Sequence, residues 1–147
     1  MEPLKEWICD TCGGVIQSPE QGWLEWLKLE ADNGSYLASG FRIVHHFLYS
    51  PNKKSKEGCY QHGPIAASMH LNEYTGADGL NYLLEMLRGG GSGREIAVAN
   101  LDEFIEIVRR LQIPHYEEAR RYQSSIDLRR GFQADLREII NEHEPEE

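Results

Sequence analysis

The region from residue 22 to residue 48 has the arrangement of apolar and polar positions expected of a β-hairpin. Residues 22–30 are rich in tryptophan and leucine with charged residues between them, a composition that strands prefer. The Asn33-Gly34 dipeptide that follows favours a type I′ turn, because both central residues of that turn need positive φ. The return strand covers residues 36–48, and a bulge is predicted at Ser39-Gly40.

Helical spacing of apolar residues begins after a polar loop at residues 50–58. A short helix is predicted to start near Pro64 and to extend to His70, because proline is favoured at the first helical position. A second helix is predicted over residues 75–88, where four leucines recur at helical intervals and define one buried face. These leucines are Leu80, Leu83, Leu84 and Leu87.

A glycine-rich run at residues 89–93 is the clearest change of composition, and it is typical of a flexible link. The run follows a predicted helix and lacks the Gly-Lys-Ser/Thr ending of a phosphate loop, so nucleotide binding there is not expected. After a short strand at residues 96–98, a helix is predicted from Asn100, which is a good N-cap with Glu103 three residues later.

The last helical segment is predicted to begin at Pro114. Gly131 or the Ser124-Ser125 pair breaks it, and the acidic tail at residues 142–147 frays. The chain is therefore expected to be an α+β protein with an N-terminal β-hairpin part and a helical C-terminal part. The predicted segments are a hairpin-plus-helix module at residues 1–88, a linker with a short strand at 89–99, and a helical region at 100–147.

Composition and charge indicate a globular protein and disfavour membrane, secreted and duplex-binding classes. The chain has 147 residues, of which 40% are hydrophobic and 27% are charged, which is typical of one globular domain. No apolar run is long enough to span a membrane. The acidic start has no apolar segment of the kind that secretory signals contain, so a cytoplasmic location is expected. The net charge of −9 disfavours binding to duplex nucleic acid.

The three cysteines are placed as metal ligands rather than as a disulfide framework. An odd number in a chain without a secretory signal argues against structural disulfides. Cys9 and Cys12 form a CxxC pair, and Cys59 and His62 form a CxxH pair. Two such turns supply the four tetrahedral ligands of a structural zinc site, so the β-hairpin part is expected to be zinc-stabilised. Because protein side chains fill all four positions, catalysis at this ion is not expected.

Two other interpretations of these residues remain open. The CxxC pair alone is also compatible with a redox pair. His45 or His46 is the rival fourth ligand, because the cysteine count requires a ligand of another type. In a strand, His45 shares a face with Phe41 and Ile43, so a half-buried, hydrogen-bonded histidine is expected there.

Arginine pairs recur in the second half of the chain. Residues 105–137 contain seven arginines and five acidic residues. One interpretation is a face that binds RNA or an acidic partner. The other is a solvated helix surface with ion pairs between neighbouring turns.

The order of a CxxC knuckle, a β-hairpin, a second ligand pair and a helix resembles the treble-clef group of zinc domains, and less closely a zinc ribbon. The resemblance covers residues 7–71. It implies an interaction module, a nucleic-acid binder or a nuclease. Within that group, HNH endonucleases place a histidine pair between the two ligand pairs. That resemblance implies His46 or His45 as general base, Asn52 in the following loop, and His70 as a ligand of a second metal.

The predicted function is that of a non-enzymatic interaction or regulatory protein with structural zinc. A protein partner is expected, and a homodimer through the helical apolar stripes is one such arrangement. The alternatives are an HNH-like metal-dependent nuclease and an RNA-binding accessory protein.

Overall fold

A computed structural model describes residues 1–30, 32, 36–51, 58–60, 66–88, 96–123 and 131–143. Over these residues the chain is a mixed α+β protein. The strands are β1 (Trp7–Ile8), β2 (Val15–Ile16), β3 (Gly22–Glu30), β4 (Tyr36–His45), β5 (Ala66–His70) and β6 (Ile96–Val98). The helices are α1 (Gly76–Leu87), α2 (Leu101–Gln112), α3 (Tyr116–Tyr122) and α4 (Gln133–His143).

The strands form two sheets. The larger has the order β5-β3-β4-β6, in which β3 pairs antiparallel with both β4 and β5, and β6 pairs parallel with β4. The smaller is the antiparallel pair β1-β2. The hairpin of β3 and β4 and the short strand β6 confirm the sequence predictions. The turn at Asn33-Gly34 lies outside the described residues.

A bulge interrupts the hairpin close to the predicted place. Glu25 pairs with Arg42 and Leu27 pairs with Ser39, so the two intervening residues of β4 lie opposite a single residue of β3. The backbone N–H of one of them, Phe41, donates to a Glu103 carboxylate oxygen at 2.7 Å. An N–H that the bulge frees from the ladder is thereby satisfied by α2, and the bulge fixes that helix against the sheet.

Two predicted elements are wrong. Residues 66–70 form strand β5 rather than a helix. This segment pairs with Trp23 through Leu27 along the second edge of β3, so the interstrand ladder replaces the local helical preference. The return strand ends at His45, and Phe47–Tyr49 form a 3₁₀ turn instead of continuing the strand to residue 48.

The main hydrophobic core lies between the larger sheet, the β1-β2 pair and helices α1 and α2. Its largest buried residues include Trp7, Ile16, Leu24, Ile43, Leu71, Leu83, Phe104 and Leu111. A smaller core joins α3 to α4 and contains Tyr116, Ala119, Leu136, Ile139 and Ile140. Residues on both sides of the glycine-rich run therefore share the main core. The division into segments 1–88, 89–99 and 100–147 stays a prediction.

Only part of the predicted leucine face of α1 is buried. Leu83 belongs to the core, whereas Leu80, Leu84 and Leu87 keep 38%, 53% and 49% of their surface exposed. The exposed leucines and residues of α2 line a cavity of about 170 Å³. A homodimer through these stripes stays a prediction. No helix within the described ranges has the length and apolar content needed to cross a membrane.

Candidate metal centre

The three cysteines and one histidine converge at one end of the β3-β4 hairpin. Ligand atoms of Cys9, Cys12, His45 and Cys59 all lie within 4.8 Å of one another. Nδ1 of His45 is 3.4 Å from Sγ of Cys12 and 3.8 Å from Sγ of Cys59. Three sulfur atoms and one imidazole nitrogen in such a cluster could hold a metal ion, and this donor set is one that zinc takes.

The turn between β1 and β2 directs the first two thiols. The N–H of Cys9 donates to the Gly14 carbonyl at 2.9 Å, and the N–H of Gly13 donates to the Cys9 carbonyl at 2.9 Å. Gly13 has a φ of 74°, which glycine adopts without the steric cost of a Cβ. The N–H of Gly14 then donates to Sγ of Cys12 at 3.3 Å. The turn thus fixes the backbone that carries both thiols, and the N–H of Gly14 also positions the sulfur atom of Cys12.

Cys59 reaches the cluster from the segment that follows the hairpin. The Thr11 hydroxyl, inside the CxxC turn, donates to the Cys59 carbonyl oxygen at 2.6 Å. Oγ of the buried Ser50 lies 3.1 Å from Sγ of Cys59. The first ligand turn therefore holds the backbone of the second ligand segment, although Cys59 lies 47 positions after Cys12 in the sequence.

His45 has the orientation of a metal-ligating histidine. It is the last residue of β4, and its side chain is buried against the cysteines. Its Nε2 lies 3.1 Å from the carbonyl oxygen of Val15, an acceptor that requires the imidazole proton to be on Nε2. Nδ1 then presents its lone pair to the three thiols, and the carbonyl fixes both the tautomer and the ring orientation.

Burial favours the protonated form of the Cys12 and Cys59 thiols. Burial raises the pKa of Cys59 to about 12, although the nearby Ser50 hydroxyl opposes the shift. Burial also raises the pKa of Cys12, and the N–H of Gly14 lowers it in part. Neighbouring thiolates repel each other in such a site, so a divalent cation is what would stabilise the deprotonated form.

The structure brings together three of the four predicted zinc ligands. Cys9, Cys12 and Cys59 lie in the cluster, and its fourth member among the described residues is His45, the rival candidate. His62 lies outside the described residues, so its role stays a prediction. The sequence signal for His45 is its position on the strand face that also contains Phe41.

His46 and His70 lie away from the cysteines, in a group of rings that also contains Trp23 and Tyr60. The His46 and His70 rings are stacked, with centroids 5.1 Å apart. Trp23 stacks on Tyr60 at 4.7 Å. Burial and the neighbouring His70 lower the pKa of His46. Asn52 lies outside the described residues.

Asp10, inside the CxxC turn, is a structural residue beside the cluster that the sequence analysis missed. One of its carboxylate oxygens accepts from the backbone N–H of Ile43 at 2.8 Å and from Nη1 of Arg110 at 2.7 Å. Arg110 is buried and also donates to Glu117 at 2.8 Å. This arginine is therefore neither on a solvated helix surface nor on a partner-binding face, because it links the CxxC turn to α2 and α3.

The described residues thus form a cluster of sulfur and nitrogen donors that the backbone of three segments holds in place. Protein-family models, curated proteins and solved structures give no match to this chain.

Proposed function

We propose that this protein is a non-enzymatic interaction or regulatory protein whose Cys9, Cys12, His45 and Cys59 bind one structural zinc ion. The observation that carries the proposal is the convergence of three thiols and an imidazole whose second nitrogen donates to a backbone carbonyl. Thiolate and imidazole ligands of this number are those of structural zinc sites.

The surroundings of the cluster support a structural role for the ion. The exposed fractions of Cys9, Cys59 and His45 are 1%, 0% and 5%, whereas the fourth proposed ligand, Cys12, is exposed. Four protein ligands complete a tetrahedral zinc site and leave no open position for water or substrate. The ion would join the β1-β2 turn, the end of β4 and the segment at residues 58–60.

The treble-clef interpretation is part of this proposal. It is supported by a ligand-bearing turn followed by the β3-β4 hairpin and then by a third cysteine. The segment that leads away from the second ligand region enters β5 rather than a helix, which departs from the treble-clef pattern. The proposal therefore assigns the knuckle and the hairpin to that type of site and makes no claim on the following helix.

Elemental analysis of the purified protein tests the proposal, and about one zinc per chain is expected. Substitution with cobalt reports the ligand set, because thiolate coordination produces intense charge-transfer absorption.

His45→Ala should weaken zinc binding, whereas His70→Ala, which alters a histidine outside the cluster, should not. A folded protein without bound metal would refute the proposal. Retention of zinc in His45→Ala with loss in His62→Ala would assign the fourth ligand to His62 instead.

The alternative of an HNH-like nuclease is supported by the histidine pair between the ligand pairs and by the proximity of His46 to His70. Nδ1 of His46 accepts from the N–H of Leu48 at 3.2 Å, and Nδ1 of His70 accepts from Nε1 of Trp23 at 3.2 Å. In the neutral rings the proton is then on Nε2, so neither ring offers a free lone pair for a general base or a metal ligand. We expect no cleavage of DNA with added magnesium or manganese.

A further inference from the structure

Cys12 differs from the other two cysteines in its exposure to solvent. Cys9 and Cys59 are buried, whereas Cys12 is exposed. Gly13, the next residue of the turn, has open space on its outer side. A Cβ at Gly13 would have no heavy atom of the described residues within 4 Å, apart from its neighbours in the chain. A small solute can therefore reach the sulfur atom of Cys12, whereas protein surrounds the other two sulfur atoms.

A second thiol lies beside the exposed one in the same turn. The sulfur atoms of Cys9 and Cys12 are within 4.8 Å of each other, and the N–H of Gly13 between them donates to the Cys9 carbonyl oxygen at 2.9 Å. Cys59 is held by another segment, because its Sγ lies 3.1 Å from Oγ of the buried Ser50. Two cysteines in a CxxC turn are close enough along the chain to form a disulfide, so Cys9 is the thiol placed to react with an oxidised Cys12.

We propose that Cys12 is an oxidation site, at which hydrogen peroxide converts Cys9 and Cys12 to a disulfide and thereby releases the zinc ion. The susceptibility of a cysteine to peroxide follows its thiolate character and its exposure. A cysteine that binds zinc is deprotonated, so Cys12 as a ligand combines both properties. The inference rests on the proposed zinc site and adds redox control to that site.

The reaction consumes one peroxide for each zinc ion released. The Cys12 thiolate attacks one oxygen of the peroxide, the O–O bond breaks, and a sulfenic acid and a hydroxide ion form. The Cys9 thiolate then attacks the Cys12 sulfur atom, the S–O bond breaks, and a second hydroxide ion leaves. The two sulfur atoms lose two electrons in total, and two protons from the solvent convert the hydroxide ions to water. Cys59 and His45 remain, which is half of the tetrahedral ligand set.

Peroxide treatment of the full zinc-loaded chain tests the inference. A chromogenic chelator follows zinc release, N-ethylmaleimide then blocks the remaining thiols, and trypsin digests the product. Trypsin places Cys9 and Cys12 in the peptide of residues 6–28 and Cys59 in that of residues 57–88. Mass spectrometry should find the first peptide without label and lighter by two hydrogen atoms, and the second with its thiol labelled. This mapping needs no variant.

Two variants separate the exposed thiol from the other ligands. Cys12→His keeps a side chain that binds zinc but cannot form a disulfide. We expect it to release zinc to peroxide on the order of tenfold more slowly than the parent protein, since the remaining thiols are buried. Gln17→His is the matched control, because it introduces histidine at a nearby exposed position, and it should release zinc at the parent rate. Elemental analysis before peroxide is added establishes that each protein carries zinc.

The inference is overturned if the zinc-loaded parent protein keeps its zinc in millimolar peroxide, if the disulfide contains Cys59, or if zinc-loaded Cys12→His loses zinc as fast as the parent. Sulfinic acid at Cys12 without a disulfide would overturn it as well. If Cys12→His binds no zinc, the peptide mapping of the parent decides alone. All of these outcomes leave the metal proposal intact, because zinc is measured before the oxidant is added. Absence of zinc at that stage refutes the metal proposal and, with it, the redox control.

Discussion

At the residue scale, the Arg110 side chain connects the CxxC turn to the helices. It donates to Asp10 in the CxxC turn, to Glu117 in α3 and to the carbonyl oxygen of Ile8 at the end of β1. Burial by itself lowers the pKa of Arg110, but the carboxylates of Glu117 and Asp10 more than compensate and raise it. The guanidinium is thus charged and paired on several sides. Its loss would leave Asp10 and Glu117 with only their longer ion pairs to Arg120, at 4.0 and 3.5 Å.

We expect Arg110→Met to lower the free energy of unfolding by about 3–5 kcal/mol, the usual effect of breaking a buried ion pair from one side. Urea denaturation measures the change. Arg88→Met is the matched control, because Arg88 is exposed and its ion pair with Glu85 spans 3.9 Å. Exposed pairs contribute about 0–1 kcal/mol. Equal stability of the two variants would contradict the structural role of Arg110.

Tyr116 makes the stability of the folded protein fall as the pH rises through the alkaline range. Burial raises its pKa to about 12, and a hydrogen bond to Glu106 adds to the shift. The folded state therefore favours the protonated phenol. Its stabilising contribution is complete below the ordinary pKa of about 10 and is lost as the pH rises from 10 towards 12.

The prediction is that the melting temperature falls over this pH interval, and that Tyr116→Phe reduces the fall because it removes the titrating group. Thermal denaturation across the interval measures it. Tyr82→Phe, at an exposed tyrosine of α1, serves as control and should retain the dependence of the parent. A profile for Tyr116→Phe identical to that of the parent would contradict the prediction.

At the scale of elements, close packing limits the sequence of α1. Gly79 lies inside this helix, and a Cβ at that position would be 2.1 Å from the carbonyl carbon of Tyr74. Gln112 of α2 donates to the Tyr74 carbonyl oxygen at 2.9 Å, so this backbone is held from a second side. The contact between α1, α2 and the turn before α1 therefore requires glycine.

We expect Gly79→Ala to destabilise the protein, although alanine raises helix propensity by about 1 kcal/mol over glycine. The reason is that the Tyr74 backbone has to shift to admit the methyl group. Asn81→Ala, on the exposed side of α1, has a propensity gain without the clash and should be neutral or stabilising. Chemical denaturation distinguishes the two, and a stabilised Gly79→Ala protein would contradict the predicted contact.

At the scale of the whole molecule, the proposed zinc ion and the Asp10–Arg110 ion pair form one continuous chain of contacts. The ion would fix the CxxC turn, Asp10 in that turn binds Arg110, and Arg110 belongs to α2. The main core contains residues of β1, the hairpin and α2 together. Loss of the metal should therefore loosen the packing of α2 as well as the β1-β2 turn.

We expect removal of zinc with a chelator to lower the melting temperature of the entire chain in one transition, since binding energy at a structural site is folding energy. Far-ultraviolet dichroism follows the helices, and tryptophan fluorescence follows the core. Coincident transitions would fit a single cooperative unit. A helical transition that the chelator leaves unchanged would contradict this and would favour independent segments at residues 1–88 and 100–147.

The sequence by itself determined the features that depend on neighbouring residues. The β3-β4 hairpin follows from strand composition. The start of α2 follows from Asn100, whose side chain accepts from the N–H of Glu103 at 3.3 Å. The pairing of Cys9 with Cys12 follows from the spacing that a tight turn imposes. Such features are local, because the interacting groups are held close by the chain itself.

Only the tertiary structure decided the features that join distant residues. It placed His45 beside the three cysteines, and it paired residues 66–70 with β3 against a local pattern that predicted a helix. It also buried Arg110 against Asp10, 100 residues away in the sequence. No spacing rule reports such contacts, because they form only when packing of the sheet on the helices brings the segments together and excludes water from the charged groups.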